Sequence, residues 1–376
     1  MPPSLFLKRE GIFLPMKIST PGRICLFGEH QDYLGLPTIA AAISRRISIE
    51  GGHRPDEQII IHLPDLLQQE SFTLSNASVY VKDRDYFRST LNVLRRRGFF
   101  FSRGVECEVH GNIPINSGTS SSSALIVSWA NFLARHADNP AVISAKELGE
   151  IANEAEVLEF GEPGGMMDHY STAIGHVIYL ESTPAIYVEA LTPTLGTFVL
   201  GDSQQPKDTL GILARCRFGM EAIIQKVKAF DPSFSIFHTP YLQVSDYSSL
   251  LSADELGLLK ANLEDRDLLM EGKKLLQQDS QSGKETIDID ATFGQLLYRH
   301  FTNLRDHKQT STDKINRMVE ASMKAGALGG KINGSGGGGC MFMYAPTGAE
   351  EVAEAIRREG GIPYIITVDE GTKPEQ

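Results

Sequence analysis

The chain has 376 residues, 41% of them apolar and 22% charged, and a formal net charge of −11. That length suits two domains, and the acidic balance argues against a nucleic-acid partner, which would call for a clustered basic face. No apolar run reaches the ~18 residues of a membrane span. The four cysteines (Cys25, Cys107, Cys216, Cys340) form no CxxC pair, so we expect neither a zinc site nor a disulfide framework, and a reducing cytoplasm as the setting.

The opening stretch MPPSLFLKREGIFLP lacks the long apolar core and cleavage site of a secretory signal. It reads either as an extra strand or as a stretch ahead of a natural start at Met16. Residues 17–27 (KISTPGRICLF) read as a strand interrupted by Pro-Gly, running into Gly28-Glu29-His30, and 37–49 is apolar and β-rich. The run Arg95-Arg96-Arg97 reads as a solvated helix end. Residues 104–110 (GVECEVH) alternate as a strand does and lead to a serine-rich segment. After it, Leu125, Ile126, Trp129, Phe132 and Leu133 recur at helical spacing. Ser144 and Glu147 form a capping box for a helix whose apolar stripe is Leu148, Ile151, Ala152 and Ala155, stopped by Gly161 and Pro163.

Short strands are expected at 177–180 and 198–201, and a long helical pattern starts near Asp208. The polar stretch 276–292 reads as a mobile loop. Helices resume at Phe293 and Asp313. A glycine cluster opens a strand at 340–344, and a helix at 350–358 and a strand at 362–368 follow. Strands dominate the first part and helices the second, which indicates an α+β fold. The change of pattern divides the chain into 1–195 and 196–376.

Two segments suit phosphate. Pro114–Ala124 (PINSGTSSSSA) lies between a strand and an apolar helix, so its small residues admit close backbone approach to an anion at a helix N-terminus. A flexible serine linker is the bland alternative, but linkers are not usually wedged between such elements. The pattern is not a P-loop, because no lysine follows. The dense cluster from Gly329 to Cys340 reads as a second wall of a nucleotide site. Phosphoryl transfer also needs a metal-binding carboxylate, a cation near the transferred group and a base for the attacking hydroxyl. The candidates are Glu156 at the end of the capped helix, Arg23 in PGR, and Asp168 after a breaker-rich turn.

Three separated motifs give these candidates a common frame. PGRICLFGEHQDY (21–33), the serine-rich segment and Gly329–Cys340 resemble, in the same order, the three motifs of the GHMP kinases, and within them the galactokinases. EVLEFGEPGGMMDH (156–169), Leu304-Arg305-Asp306 and GALGG (326–330) agree. The resemblance implies a two-domain fold, ribosomal-S5-like then ferredoxin-like, with the site between the domains. It implies ATP and Mg²⁺ as cofactors and a sugar as substrate, with a galactokinase-like sugar 1-kinase as the activity. No nucleic-acid or membrane partner is implied, and the protein would be a monomer or homodimer.

Carried over by motif, Asp168 falls on the catalytic base and Arg23 on the cation beside it. Glu156 and Ser122 fall on the Mg²⁺ ligands. The loop has one serine more than usual, so Ser121 and Ser123 stand as alternatives to Ser122. Glu29, His30, Asp32 and Gly165 fall on sugar contacts. Ser117, Gly118, Thr119, Ser120, Ser121, Ser122, Ser123, Gly336 and Gly337 fall on the ATP loops.

Some features depart from the galactokinase pattern. LGLPTIAAAI after Tyr33 is one residue tighter. Residues 207–217 (KDTLGILARCR) lack a sugar-contacting tyrosine. His169 stands where the resemblance has glutamine, and GGKINGSGGGGC looks as much like other sugar-kinase branches. A heptose, arabinose or mevalonate kinase and a non-catalytic sugar sensor are the rival readings.

Overall fold

The Pro-Gly interruption does not end the first strand. β1 (Met16–Phe27) runs through it, and its register against β2 (Thr38–His53) shifts between Pro21 and Gly22. Such a shift re-aims the side chain that follows, here Arg23. The structure, a computed structural model, describes residues 15–114, 118–162, 164–207, 209–279 and 286–375. The expectation for residues 1–14 and the predicted ATP contact Ser117 lie outside the described residues.

A hairpin of β3 (Gln58–Leu63) and β4 (Gln68–Thr73) follows, then α1 (Tyr86–Arg96) and β5 (Val105–Gly111). Next come α2 (Ser121–His136), α3 (Ala145–Asn153), α4 (Met167–Ile174), β6 (Val177–Glu181) and β7 (Tyr187–Leu191). The first sheet runs β4-β3-β5-β2-β1, with β6 pairing the start of β2 and β7 pairing β6. Among the described residues only the β3–β5 pair in it is parallel.

α2 is buried nearly all round, as a helix in mid-core must be. Trp129 anchors it, packing edge-on against Phe87 at 5.5 Å and donating from Nε1 to the Phe87 carbonyl at 3.0 Å. α3 starts at the expected cap, where Ser144 Oγ accepts from the Glu147 N–H at 3.2 Å. Its stripe is buried as expected. It then widens into a π turn over Glu154–Leu158 before the chain reaches Gly161, and such turns favour functional sites.

The second sheet holds β8 (Phe198–Asp202), β9 (Gly329–Ile332), β10 (Cys340–Tyr344) and β11 (Ile362–Ile366), all antiparallel in the order β11-β8-β10-β9. Between β8 and β9 lie α5 (Thr209–Phe230), α6 (Ala253–Asp279), α7 (Thr286–Asp306) and α8 (Asp313–Lys324). α9 (Ala349–Arg358) follows β10, and a last strand, β12 (Lys373–Glu375), returns to pair with β1 in the first sheet. One apolar cluster joins the two sheets, setting Ile24, Phe27 and Ile39 with Phe198, Phe342, Tyr344 and Phe293.

One reading needs adjusting. Residues 276–279 and 286–292 are not loop but the end of α6 and the start of α7, anchored by buried Leu276 and by the Tyr344 hydroxyl donating to Asp290. The hairpin β3–β4, α1 and the closing strand β12 had no strong signal. The arginine run does close α1, where Arg96 and Arg97 each pair with Glu154 at 3.0 Å.

Arg46 staples the returning chain end to the first sheet. Its guanidinium donates to Ser19 Oγ (3.0 Å), Asp369 Oδ2 (2.7 Å) and the carbonyls of Glu370 (3.0 Å) and Gly371 (2.7 Å). Losing charge-assisted bonds and stranding their acceptors costs about 2 kcal/mol. Arg46→Met is expected to lower unfolding stability by that amount in urea titration, with the midpoint shifted and the slope unchanged.

Candidate active site

The site is built around one buried guanidinium. Arg23, 3% exposed, donates from Nε to Asp168 Oδ1 at 2.8 Å, and its Nη2 lies 2.7 Å from the same oxygen. Nη1 donates to the Gly118 carbonyl, and the Arg23 N–H donates to the Thr119 carbonyl at 3.1 Å. The first motif, the serine-rich loop and the start of α4 thus meet at one side chain. Burial pushes the Asp168 carboxyl up, but Arg23 outweighs this and holds it below the usual carboxylate range, with help from His169 and Ser120.

The serine-rich loop turns into α2 at Ser120, which takes a left-handed conformation and whose side chain makes no capping bond. The first N–H groups of a helix have no partner within it. Here they belong to Ser121, Ser122 and Ser123, all lining the same cavity as Arg23 and Asp168. Gly118, at φ +88°, leaves no room for a side chain: a Cβ would sit 2.5 Å from the Asn333 carbonyl oxygen and 2.9 Å from Lys207 Nζ.

Glu156, on the π turn, faces the serines from the other side. Its Oε2 accepts from Ser123 Oγ at 2.7 Å and from His169 Nε2 at 2.8 Å. Burial pushes this carboxyl up, but His169, Ser122 and Ser123 together hold it below its ordinary value. An ionised carboxylate beside two hydroxyls is a hard-oxygen donor set that suits Mg²⁺. Among the described residues no group of three or more His, Cys, Asp and Glu could hold a metal alone. A cation here would therefore lean on nucleotide oxygens.

The first motif presents its polar groups unequally. Both Glu29 oxygens are engaged within the protein, Oε2 by buried Lys331 at 2.6 Å and Oε1 by the Gly334 N–H at 3.0 Å. Both His30 nitrogens are engaged too: Nδ1 lies 3.0 Å from the Tyr33 hydroxyl and Nε2 3.0 Å from the Ser335 carbonyl. Burial, then Lys308, lowers the His30 pKa to about 3.

Asp32 differs. Its Oδ1 accepts from the Tyr33 N–H at 2.9 Å, while Oδ2 lies so close to Gly165 that a Cβ there would come within 1.6 Å. Burial and the neighbouring Asp168 charge push the Asp32 pKa up to about 6.

These groups line one cavity of about 1050 Å³, room enough for a nucleotide and a small acceptor. Arg23, Glu29, His30, Asp32, Gly118, Ser120, Ser121, Ser122, Ser123, Glu156, Gly165 and Asp168 all border it. Thr119 does not line it and contributes its backbone carbonyl to Arg23. Of the glycine loop, Gly334, Ser335 and Gly339 line it, whereas Gly336 and Gly337 turn to the Thr310 carbonyl, which accepts from the Gly337 N–H at 2.8 Å.

Sequence reasoning missed Lys207, whose Nζ occupies the notch between Gly118 and Gly334. Burial and Arg23 lower its pKa, while Asp168 and Glu29 raise it. It also missed Arg84 and Glu162, a forked ion pair on the cavity wall, and Tyr86 beside them. A lysine just past the end of a strand was the only available signal for Lys207.

Residues 85–176 match the GHMP kinases N terminal domain, 291–362 the GHMP kinases C terminal domain, and 6–52 the galactokinase galactose-binding signature. The chain belongs to the GHMP kinases, which use ATP as phosphate donor. It is 27% identical to a mevalonate kinase of Thermococcus gammatolerans over 95% of this chain and 98% of that one. It is 28% identical to a galactokinase of Thermotoga maritima over 93% of this chain and 97% of that one. In fold it is similar to Lactococcus lactis galactokinase complexed with galactose, with a TM-score of 0.81 at 18% identity over 96% of this chain and 95% of that one. Among the described residues no helix is long and apolar enough to cross a membrane.

The raised Asp32 pKa has a stability consequence. Between its ordinary 3.8 and about 6 the folded state binds this proton more tightly than the unfolded state. The contribution of this group to stability therefore falls as pH rises through that window. Asp32→Asn, which keeps an acceptor for the Tyr33 N–H, is expected to be more stable than the parent at pH 7–8 and no more stable below pH 4. Melting temperatures across that range test this.

Proposed function

We propose that the chain is an ATP- and Mg²⁺-dependent kinase that transfers the γ-phosphate to a hydroxyl of a sugar, in the manner of a galactokinase-like sugar 1-kinase. The observation that carries this reading is the Arg23–Asp168 pair, set at the mouth of the serine loop with Glu156 across from it. The two sheets support dividing the chain near residue 195, with 1–195 carrying the acceptor motif and serine loop and 196–376 the glycine loop, except that β12 at the chain's end returns to the first sheet.

In this reading the N–H groups and hydroxyls of Ser120–Ser123 and the loop at Gly334 hold the ATP phosphates. Glu156 and Ser122, with Ser123, would hold Mg²⁺, which when bound neutralises phosphate charge. Lys207 and Arg23 supply positive charge beside the transferred phosphoryl, where preorganised charge counts most. Asp168 accepts a hydrogen bond from the attacking hydroxyl and takes its proton. A carboxylate held below its usual pKa is a weak base, but phosphoryl transfer is loose and mostly a matter of positioning. Asp32, with Oδ2 over Gly165, holds a second acceptor hydroxyl.

Likeness to mevalonate kinases supports a second acceptor, a small hydroxy acid. The Asp32–Asp168 pair weighs against it, because an acceptor carboxylate would meet two like charges. A coupled ADP-release assay over pentoses, hexoses, heptoses and mevalonate decides: turnover is expected with a sugar, and turnover with mevalonate alone would overturn the sugar assignment. Sugar binding without ADP release from any acceptor would favour a sensor.

Two variants probe the mechanism. Asp168→Asn is expected to lose ~10²–10⁴ in kcat, the usual weight of general-base help, while still binding nucleotide. Lys207→Met is expected to lose about 10²-fold or more in kcat, as removal of one preorganised charge-stabilising group does. Single-turnover kinetics check both.

A further inference from the structure

We propose that His169 is a positioning residue that orients the Glu156 carboxylate for the cation accompanying the nucleotide. The inference rests on the kinase reading above and adds a role for a residue which that reading leaves unused. His169 follows Asp168 in the first turn of α4, and neighbours on a helix point about 100° apart. One turn thus serves two tasks: Asp168 meets Arg23, and His169 meets Glu156.

His169 is 2% exposed. Its Nε2–H donates to Glu156 Oε2 at 2.8 Å, the same oxygen that accepts from Ser123 Oγ at 2.7 Å. Behind the ring, Asn153 Nδ2 approaches Nδ1 at 3.5 Å. The carboxylate cannot turn without breaking two bonds. Oε2 holds two donors and Ser122 also bonds this carboxylate, so a cation is expected at Oε1 beside Ser122. Asn153, His169 and Ser123 come from α3, α4 and α2, so the carboxylate is set by packed helices rather than by a loop. Partners of this kind fix the direction and charge of a metal ligand.

The test uses the full chain with ADP and a titration of Mn²⁺, free Mn²⁺ being read by electron paramagnetic resonance. His169→Leu is expected to weaken Mn²⁺ binding about 10–100-fold, the usual cost of losing such a partner. His169→Gln, which restores an N–H donor, is expected to recover most of it. Sugar binding without nucleotide, measured by calorimetry, should stay unchanged in both. Parent-like Mn²⁺ affinity in His169→Leu overturns the proposal. Should that variant fail to fold, Asn153→Ala decides: weakened Mn²⁺ binding supports the role and parent-like affinity overturns it. Glu156→Gln separates the two layers of argument. If it binds Mn²⁺ like the parent, the metal assignment fails and this proposal with it. If it loses Mn²⁺ while His169→Leu does not, only the role of His169 fails.

Discussion

The Arg23 guanidinium is the joint on which the site depends. Within one side chain it reaches Asp168 on α4 and the Gly118 carbonyl, while its own N–H meets the Thr119 carbonyl. Asn333 binds the same Gly118 carbonyl at 2.7 Å, and its Oδ1 accepts from the Cys25 N–H at 2.9 Å. The first motif, the serine loop and the glycine loop are therefore tied by a few fully engaged polar groups. Removing one member of a buried ion pair leaves a charge without its partner, which costs far more than the pair itself contributes. Such an arrangement resists drift: the carboxylate facing the acceptor is placed by the same contacts that close the phosphate loops.

Glu29 and His30 border the cavity, yet their side-chain oxygens and nitrogens are engaged in bonds within the protein. Buried Lys331 and the Gly334 N–H use both Glu29 oxygens, and the ring nitrogens of His30 reach Tyr33 and Ser335. These bonds join the first motif to the glycine loop across more than 300 positions of sequence. A buried lysine needs a buried carboxylate, so Lys331 and Glu29 secure each other at the seam between the two sheets. In the proposed reading the acceptor falls chiefly to Asp32, whose second oxygen lies against Gly165.

Much of this was legible in the residues. A strand–small-residue–helix passage announces the turn into α2 that lines the cavity, and the capping box at Ser144 announces α3, because each rests on local chemistry. Gly336 and Gly337 could not be told from Gly334 and Gly339: glycines in one loop look alike until Thr310, from another segment, fixes which way each faces. Lys207 was illegible for the same reason, since its meaning comes from Gly118 and Gly334, both distant in sequence. The polar stretch near 276–292 reads as loop because a helix with a sparse apolar stripe has the composition of one. Leu276 alone shows that the end of α6 has a buried side.

The charge balance of the cavity bears on what the enzyme accepts. Asp32 stands near enough to Asp168 for each to disfavour the other's ionisation, and Asp32 gives way, its pKa pushed up to about 6 by burial first and Asp168 second. Arg23 spares Asp168 the same fate. A polyol relieves this strain, because its hydroxyls donate to both carboxylates and bring no charge of their own. An acid would add a third negative group beside Asp32 and Asp168, where two lining cations are already committed, Arg23 to Asp168 and Arg84 to Glu162. Lys207 Nζ stands between Gly118 and Gly334, and in the proposed reading its charge serves the nucleotide rather than the acceptor. The proposed preference for a neutral acceptor rests on the same economy of charge that holds the three motifs together.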